Sequence, residues 1–194
     1  MFIINELANS LSKLPGIGKK SAMRLAYFLL KNKDVANDIS NTIKNTIENV
    51  KNCSICGNFT LQNICEICSN AHRDNSIICV VEEPKDLIAI EETALYNGQY
   101  HILMGTINPL EGIGPEKLRI KELVSRLKNN KFEEIFIATN PTIEGETTFL
   151  YIESLIKDIP IKKSRMATGL PMGGLLEYTD KFTLGKAIQL KQYF

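Results

Sequence analysis

Four of the five cysteines fall into two Cys-x-x-Cys pairs, Cys53-Ser54-Ile55-Cys56 and Cys65-Glu66-Ile67-Cys68, separated by Gly57–Ile64. Each such turn presents two thiolates to one side. Two turns complete the sulfur-only tetrahedron that suits zinc. With Cys53, Cys56, Cys65 and Cys68 all bound, no position is left for water, so one zinc ion held here is structural and not catalytic. Disulfides are the poorer reading. Met1-Phe2-Ile3-Ile4 has no basic start, and Asn5 and Glu6 interrupt the apolar run at once, which is unlike a secretory leader. The cytoplasm, where thiols stay reduced, is the expected compartment. Cys79 lies inside the apolar run Ile77–Val81 and reads as a core residue. His72 reads as a surface residue beside a site already complete, and His101 has no recognisable partner.

The second segment with chemical content is Leu14-Pro15-Gly16-Ile17-Gly18-Lys19-Lys20-Ser21-Ala22. Two glycines around one apolar residue permit a tight turn with positive φ and a close approach of backbone to a ligand. The amides of Gly16, Ile17 and Gly18 are expected to point outward at the start of the next helix, where the helix dipole favours an anion. Lys19, Lys20 and Arg24 add charge, and Ile17 plugs the turn into the core. Such a site grips phosphate and reads no bases. The alternative is a plain helix–turn–helix connection whose glycines only shape the turn. A nucleotide-binding P-loop does not fit, because no strand precedes the glycines and the pattern itself is absent. The segment resembles the helix-hairpin-helix motif of DNA-repair proteins. Net charge supports a polyanionic partner only when divided along the chain: the total is +1, yet residues 1–33 carry six basic residues against Glu6 alone.

A third group is acidic. Ile78-Cys79-Val80-Val81-Glu82-Glu83-Pro84 places a carboxylate at the end of a buried strand, where α/β folds put their sites. A second strand ends Ala138-Thr139-Asn140-Pro141-Thr142, followed by Glu144 and Glu146. The pairing resembles the Toprim domain of topoisomerases and primases, in which a strand-end Glu and an Asp-x-Asp pair hold Mg²⁺. Thr139-Asn140-Pro141 stands where that pair is expected, without an aspartate. Phosphoryl chemistry on metals needs several convergent carboxylates. Glu82, Glu144 and Glu146 are therefore assigned to partner binding, with no catalytic residue, and a Toprim-type Mg²⁺-dependent nuclease or primase-like enzyme is the alternative. Gly173-Gly174-Leu175-Leu176-Glu177 invites comparison with the acidic strand of an ATP site, but no GxxxxGK[ST] loop accompanies it.

The elements that must position these groups follow from periodicity. Leu7, Leu11 and Leu14, then Ala22, Leu25, Ala26, Leu29 and Leu30, mark two helices around the glycines. Asp34 reads as the cap of a third, striped by Val35, Ile39, Ile43, Ile47 and Val50. From Ile77 strands and helices alternate: strands at Ile77–Val81, Tyr100–Met104, Glu134–Ala138 and Ile161–Ala167, and helices at Asp86–Leu95, Leu118–Leu127 and Glu146–Ile156. This predicts an α/β fold with a mostly parallel sheet. The expected organisation is a helix-hairpin-helix DNA-binding region over 1–52 and a four-cysteine zinc motif over 53–75. A Toprim-like domain over 76–168 and a C-terminal Gly-Gly segment and tail over 169–194 complete it. No apolar stretch approaches the ~20 residues of a membrane span.

Taken in order, the Leu-Pro-Gly-Ile-Gly-Lys-Lys-Ser-Ala hairpin at 14–22, Cys65-Glu-Ile-Cys-Ser-Asn70, Val80-Val-Glu-Glu-Pro84, Gly112-Ile-Gly-Pro115 and Ala138-Thr-Asn-Pro-Thr142 resemble the bacterial RecR family over nearly the whole chain. The resemblance implies a non-enzymatic recombination mediator. It would work with RecO and, where present, RecF to load RecA on single-stranded DNA coated by single-strand-binding protein. It also implies self-assembly as dimers or ring-like tetramers with the hairpins facing inward. Leu175 departs from the family, whose members often carry an acidic residue there.

Overall fold

The computed structural model describes residues 2–170 and 172–191, in two compact units, Met1–Val50 and Lys51–Phe194. In the first unit, helices α1 (Phe2–Leu11) and α2 (Lys19–Lys31) are followed by α3 (Lys33–Asn49). The small side chains of Ala8, Ala22 and Ala26 are buried, with Leu7, Leu11, Ile17 and Met23 packed around them. Alanines let the helices of the hairpin approach closely. Asn32, not Asp34, occupies the N-cap position of α3, but its side chain caps nothing there: its amide donates back to the Phe28 carbonyl at the end of α2. Asp34 falls instead in the first turn of α3, where the helix dipole still favours it. The apolar stripe on α3 exists but is exposed, from 42% at Val35 to 74% at Ile47.

The second unit opens with β1 (Lys51–Asn52), which pairs antiparallel with β2 (Phe59–Thr60). This small ribbon begins two residues before the boundary expected after residue 52, because Lys51 and Asn52 bond across the cysteine loop. The short helix α4 (Glu66–Ser69) carries Cys68. There follow β3 (Asp74–Val81), α5 (Pro84–Glu91), β4 (Gly98–Ile102), α6 (Ile120–Asn129), β5 (Glu134–Ile137), α7 (Ile143–Ile156), β6 (Lys162–Arg165) and α8 (Lys181–Gln189). The four strands β4-β3-β5-β6 form one sheet, all neighbours parallel. Every strand and helix expected from periodicity is present, with shifted ends. α5 starts at Pro84, two residues early, because Glu83 and Asp86 form a reciprocal capping box. β4 stops at Ile102, since Met104 has φ of 65° and cannot continue a strand.

β3 is buried on both sheet faces, which explains its unbroken apolar run. Ile78 and Val80 face one layer with Leu123, Ile135, Ile137 and Ile152. Cys79 and Val81 face the other with Leu87 and Tyr100, in a cluster that continues into Cys53, Cys56 and Cys65. Cys79 is thus a core residue, as its sequence context predicts. The outer edge of β4 does not face water bare: the Ile102 N–H donates to the Cys56 carbonyl at 2.8 Å, and Arg126 donates to the Tyr100 carbonyl at 2.5 Å. The cysteine module is an edge cover for the sheet. Among the described residues, no helix is long and apolar enough to cross a membrane.

Candidate metal centre and nucleic-acid interface

Cys53 and Cys56 flank the turn leaving β1, and Cys65 caps α4, which carries Cys68. The turn after Cys56 requires Gly57, whose φ is 90°. These elements bring all four sulfurs within 4.8 Å of one another, with Cys68 half-buried and the rest buried. The 3.5 Å between Cys56 Sγ and Cys65 Sγ is far beyond a disulfide bond. Backbone N–H groups aim at sulfur, from Asn58 to Cys56 at 3.4 Å and from Cys65 to Cys53 at 3.3 Å. The Cys56 thiol is drawn down to about 5, chiefly by its hydrogen bond from Cys68. Burial pushes Cys65 up to about 11, and the hydrogen bond to Cys56 raises Cys68 further. One thiolate is comfortable there and four are not, unless a cation neutralises them. Such a donor set fits a tetrahedral, thiophilic metal. Among the described residues it is the sole group of three or more Cys, His, Asp or Glu side chains close enough to hold an ion. His72 is exposed, as expected.

In the hairpin, Gly16 has φ of 80° and makes the turn. Ile17 inserts into the alanine-lined core, but its N–H donates to the Leu14 carbonyl at 3.1 Å. Its amide is therefore spent within the turn and does not point outward as expected. Gly18, the N-cap of α2, has φ of −77° and open space where a Cβ would stand. Nothing inside the chain demands glycine there. What its missing side chain achieves is a bare approach to the N-terminus of α2, where no side chain caps the helix. The first backbone bond of that helix runs from Ala22 N–H to the Gly18 carbonyl, so the amides of Lys19, Lys20 and Ser21 precede it. Lys19, Lys20 and Arg24 are exposed around this end. The arrangement is an anion site built from amides, dipole and side-chain charge.

At the sheet, the chain leaves β3 toward β4 on one side and reaches β5 on the other. That reversal opens a switch-point crevice, and both Glu82 and Asn140 border it. Glu82 is 7% exposed. Its Oε1 accepts the Asn140 backbone N–H at 2.8 Å and its Oε2 accepts Asn140 Nδ2 at 2.5 Å. Gly145, in the first turn of α7, leaves no room for a side chain, because a Cβ would overlap the Asn140 carbonyl and crowd Glu82 Oε1. Glu144 is half-exposed on the same turn. Glu146 pairs with Arg165 at 2.7 Å, whose guanidinium holds the Glu146 carboxyl below its usual range and stacks 4.2 Å from the centre of the Phe149 ring. Glu177 sits on a 3₁₀ turn, Leu176–Tyr178, and not on a strand. Pro171 and residues 192–194 of the C-terminal segment lie outside the described residues.

Sequence reasoning missed two arginines beside the metal centre and one buried histidine. Arg119 and Arg126 come from α6 and its N-cap, far along the chain, and only the fold brings them there. His101 is fully buried, with Nε2–H donating to the Arg119 carbonyl at 2.8 Å.

Comparison with known proteins places each segment. The family model "RecR, helix-hairpin-helix" matches residues 4–47, and the RecR zinc-finger domain model, named for its four cysteines, matches 50–70. The Toprim domain model matches 76–167 and "RecR, C-terminal" matches 169–192. A recombination protein RecR from Moorella thermoacetica is 50% identical over 185 residues, which cover 95% of this chain and 93% of the relative. The chain belongs to the RecR family. The four thiols accordingly lie within a segment matched as a four-cysteine zinc finger, and the uncapped helix within one matched as a helix-hairpin-helix.

Proposed function

We propose that this protein is a DNA-binding recombination mediator of DNA repair, acting in the cytoplasm, with one structural zinc on Cys53, Cys56, Cys65 and Cys68. The observation that carries DNA binding is the bare, basic N-terminus of α2. Gly18 leaves it open, Gly16 and Ile17 fix the turn, and Lys19, Lys20 and Arg24 surround it. Phosphate contacts of this kind are blind to sequence and strongly dependent on salt. Zinc would supply cross-linking of the module and a charge that keeps four thiolates together. The residues themselves fix the turns and seal the edge of β4.

The enzyme alternative places its chemistry at Glu82. That carboxylate sits at the switch point, but both of its oxygens already accept hydrogen bonds from Asn140. A donor amide stands where metal chemistry needs a second carboxylate, which favours a binding role. Glu144 and Glu146, with Glu82 behind them, then form the surface for RecO, with RecF as a further partner where it exists. RecA loading follows from bringing those proteins to DNA, and self-assembly as a dimer or ring would array several hairpins. The test is salt-titrated binding of fluorescent DNA alongside a Mg²⁺-dependent cleavage and primer-synthesis assay. Binding of every DNA sequence with similar affinity, and no turnover, is expected. Mg²⁺-dependent turnover abolished by Glu82→Gln would replace the mediator with the enzyme.

A further inference from the structure

A cavity of about 950 Å³ lies between the cysteine module and α6, lined by Ser54, Ile55 and Cys68 on one wall and by Arg119 and Arg126 on the other. The two arginines are drawn into the protein and are not spread over its surface. Arg126 donates to the Tyr100 carbonyl at 2.5 Å. Arg119 has its backbone carbonyl tied to His101, and its Nη1 is buried without a hydrogen-bond partner among the described residues. That nitrogen lies so close over Gly57, next to the ligand Cys56, that any side chain at 57 would collide with it. Among the described residues, neither guanidinium pairs with a carboxylate within salt-bridge distance, and Glu122 is the sole acid on the cavity wall.

Two partly buried cations without carboxylates require negative charge from elsewhere. A zinc ion held by four thiolates supplies it: four negative ligands and one divalent cation leave the centre with two net negative charges. We infer that Arg119 and Arg126 are the counter-charges of the metal centre, positioning residues that set how tightly it holds its ion and lock the module on the edge of β4. This rests on the zinc reading above. It also gives Gly57 a second role, since the glycine that turns the chain after Cys56 also admits the Arg119 guanidinium.

The experiment measures zinc affinity of the full chain by competition with a chromophoric chelator, together with thermal stability of the zinc-loaded and metal-stripped forms. Arg126→Gln and Arg119→Gln remove charge while keeping an amide donor, and Arg126→Lys keeps charge. Each glutamine variant should bind zinc tenfold or more weakly, in the range seen when groups just outside a metal's own ligands are removed. Arg126→Lys should restore most of the affinity, and Lys121→Gln, on the same cavity wall, should change it less than threefold. In the metal-stripped protein most of that negative charge is gone, so each glutamine substitution should destabilise the fold far less than it does in the zinc-loaded form. Wild-type affinity in both glutamine variants would overturn the inference, as would equal destabilisation of loaded and stripped forms. Absence of zinc from the wild type would instead overturn the zinc reading on which it depends.

Discussion

Asn140 covers a buried carboxylate with two donors, and this single residue separates binding from metal chemistry at the switch point. Asn140→Asp would set two carboxylates side by side and replace a donor by a charge. Loss of a hydrogen bond to a charged group costs about 2 kcal/mol. The variant should unfold at lower denaturant than the wild type at pH 7. Added Mg²⁺ should raise its melting temperature more than that of the wild type; equal response in both would deny the site any latent metal affinity. His101 gives a second residue-level prediction. Burial drops its pKa to about 3 from 6.5, so the folded state holds it neutral while the unfolded chain protonates it. The resulting stability is present above pH 6.5 and is lost as pH falls through the window between those values. At pH 5 the loss is on the order of 2 kcal/mol. Urea unfolding across pH 4.5–7.5 should show that slope, and His101→Gln, which keeps a donor for the Arg119 carbonyl, should flatten it.

At the scale of elements, the two glycines of the hairpin separate fold from function. Gly16 has positive φ, so Gly16→Ala places a Cβ in the left-handed region at a cost of about 1–2 kcal/mol. Gly18 has ordinary φ and open space, so Gly18→Ala meets no clash or strain and should change stability by less than about 1 kcal/mol, the loss of a favoured N-cap residue opposing the gain through the unfolded chain. Gly18→Val should nevertheless weaken DNA binding, because its side chain would stand over the amides of α2. A folded Gly18→Val protein with wild-type affinity would move the phosphate site elsewhere. Charge reversal at Lys19 and Lys20 should weaken binding alike for all sequences and flatten the slope of log K against log salt by about 0.7–0.9 per lost contact.

For the whole molecule, the cysteine module couples metal to sheet. Cys65→Ser should release zinc and loosen the module, and the Ile102 amide, bonded to the Cys56 carbonyl, should lose hydrogen-exchange protection while the amides of β3 and β5 keep theirs. Uniform loss of protection across the sheet would instead make the module part of one cooperative core. Zinc affinity should weaken as pH falls, because Cys65 and Cys68 must shed protons to bind it. The proposed partner surface is separate: Glu144→Lys should impair RecO binding with zinc content and melting temperature unchanged, whereas Glu146→Ala also frees Arg165.

Local chemistry was written in the sequence. Cysteine spacing, the glycine-broken basic helix pair and the alternation after Ile77 pointed to the thiol cluster, the hairpin and a parallel sheet, because the signal of each element is carried by residues within one turn or one period of each other. The tertiary structure alone decided what long-range packing controls. It spent the Ile17 amide inside the turn, left the stripe of α3 exposed, and closed Glu82 with an asparagine 58 positions away. It also set the guanidinium groups of Arg119 and Arg126 against a cysteine module more than fifty residues earlier in the chain. Periodicity reports which face of an element is apolar, but burial and hydrogen-bond partners depend on neighbours that only the completed fold supplies.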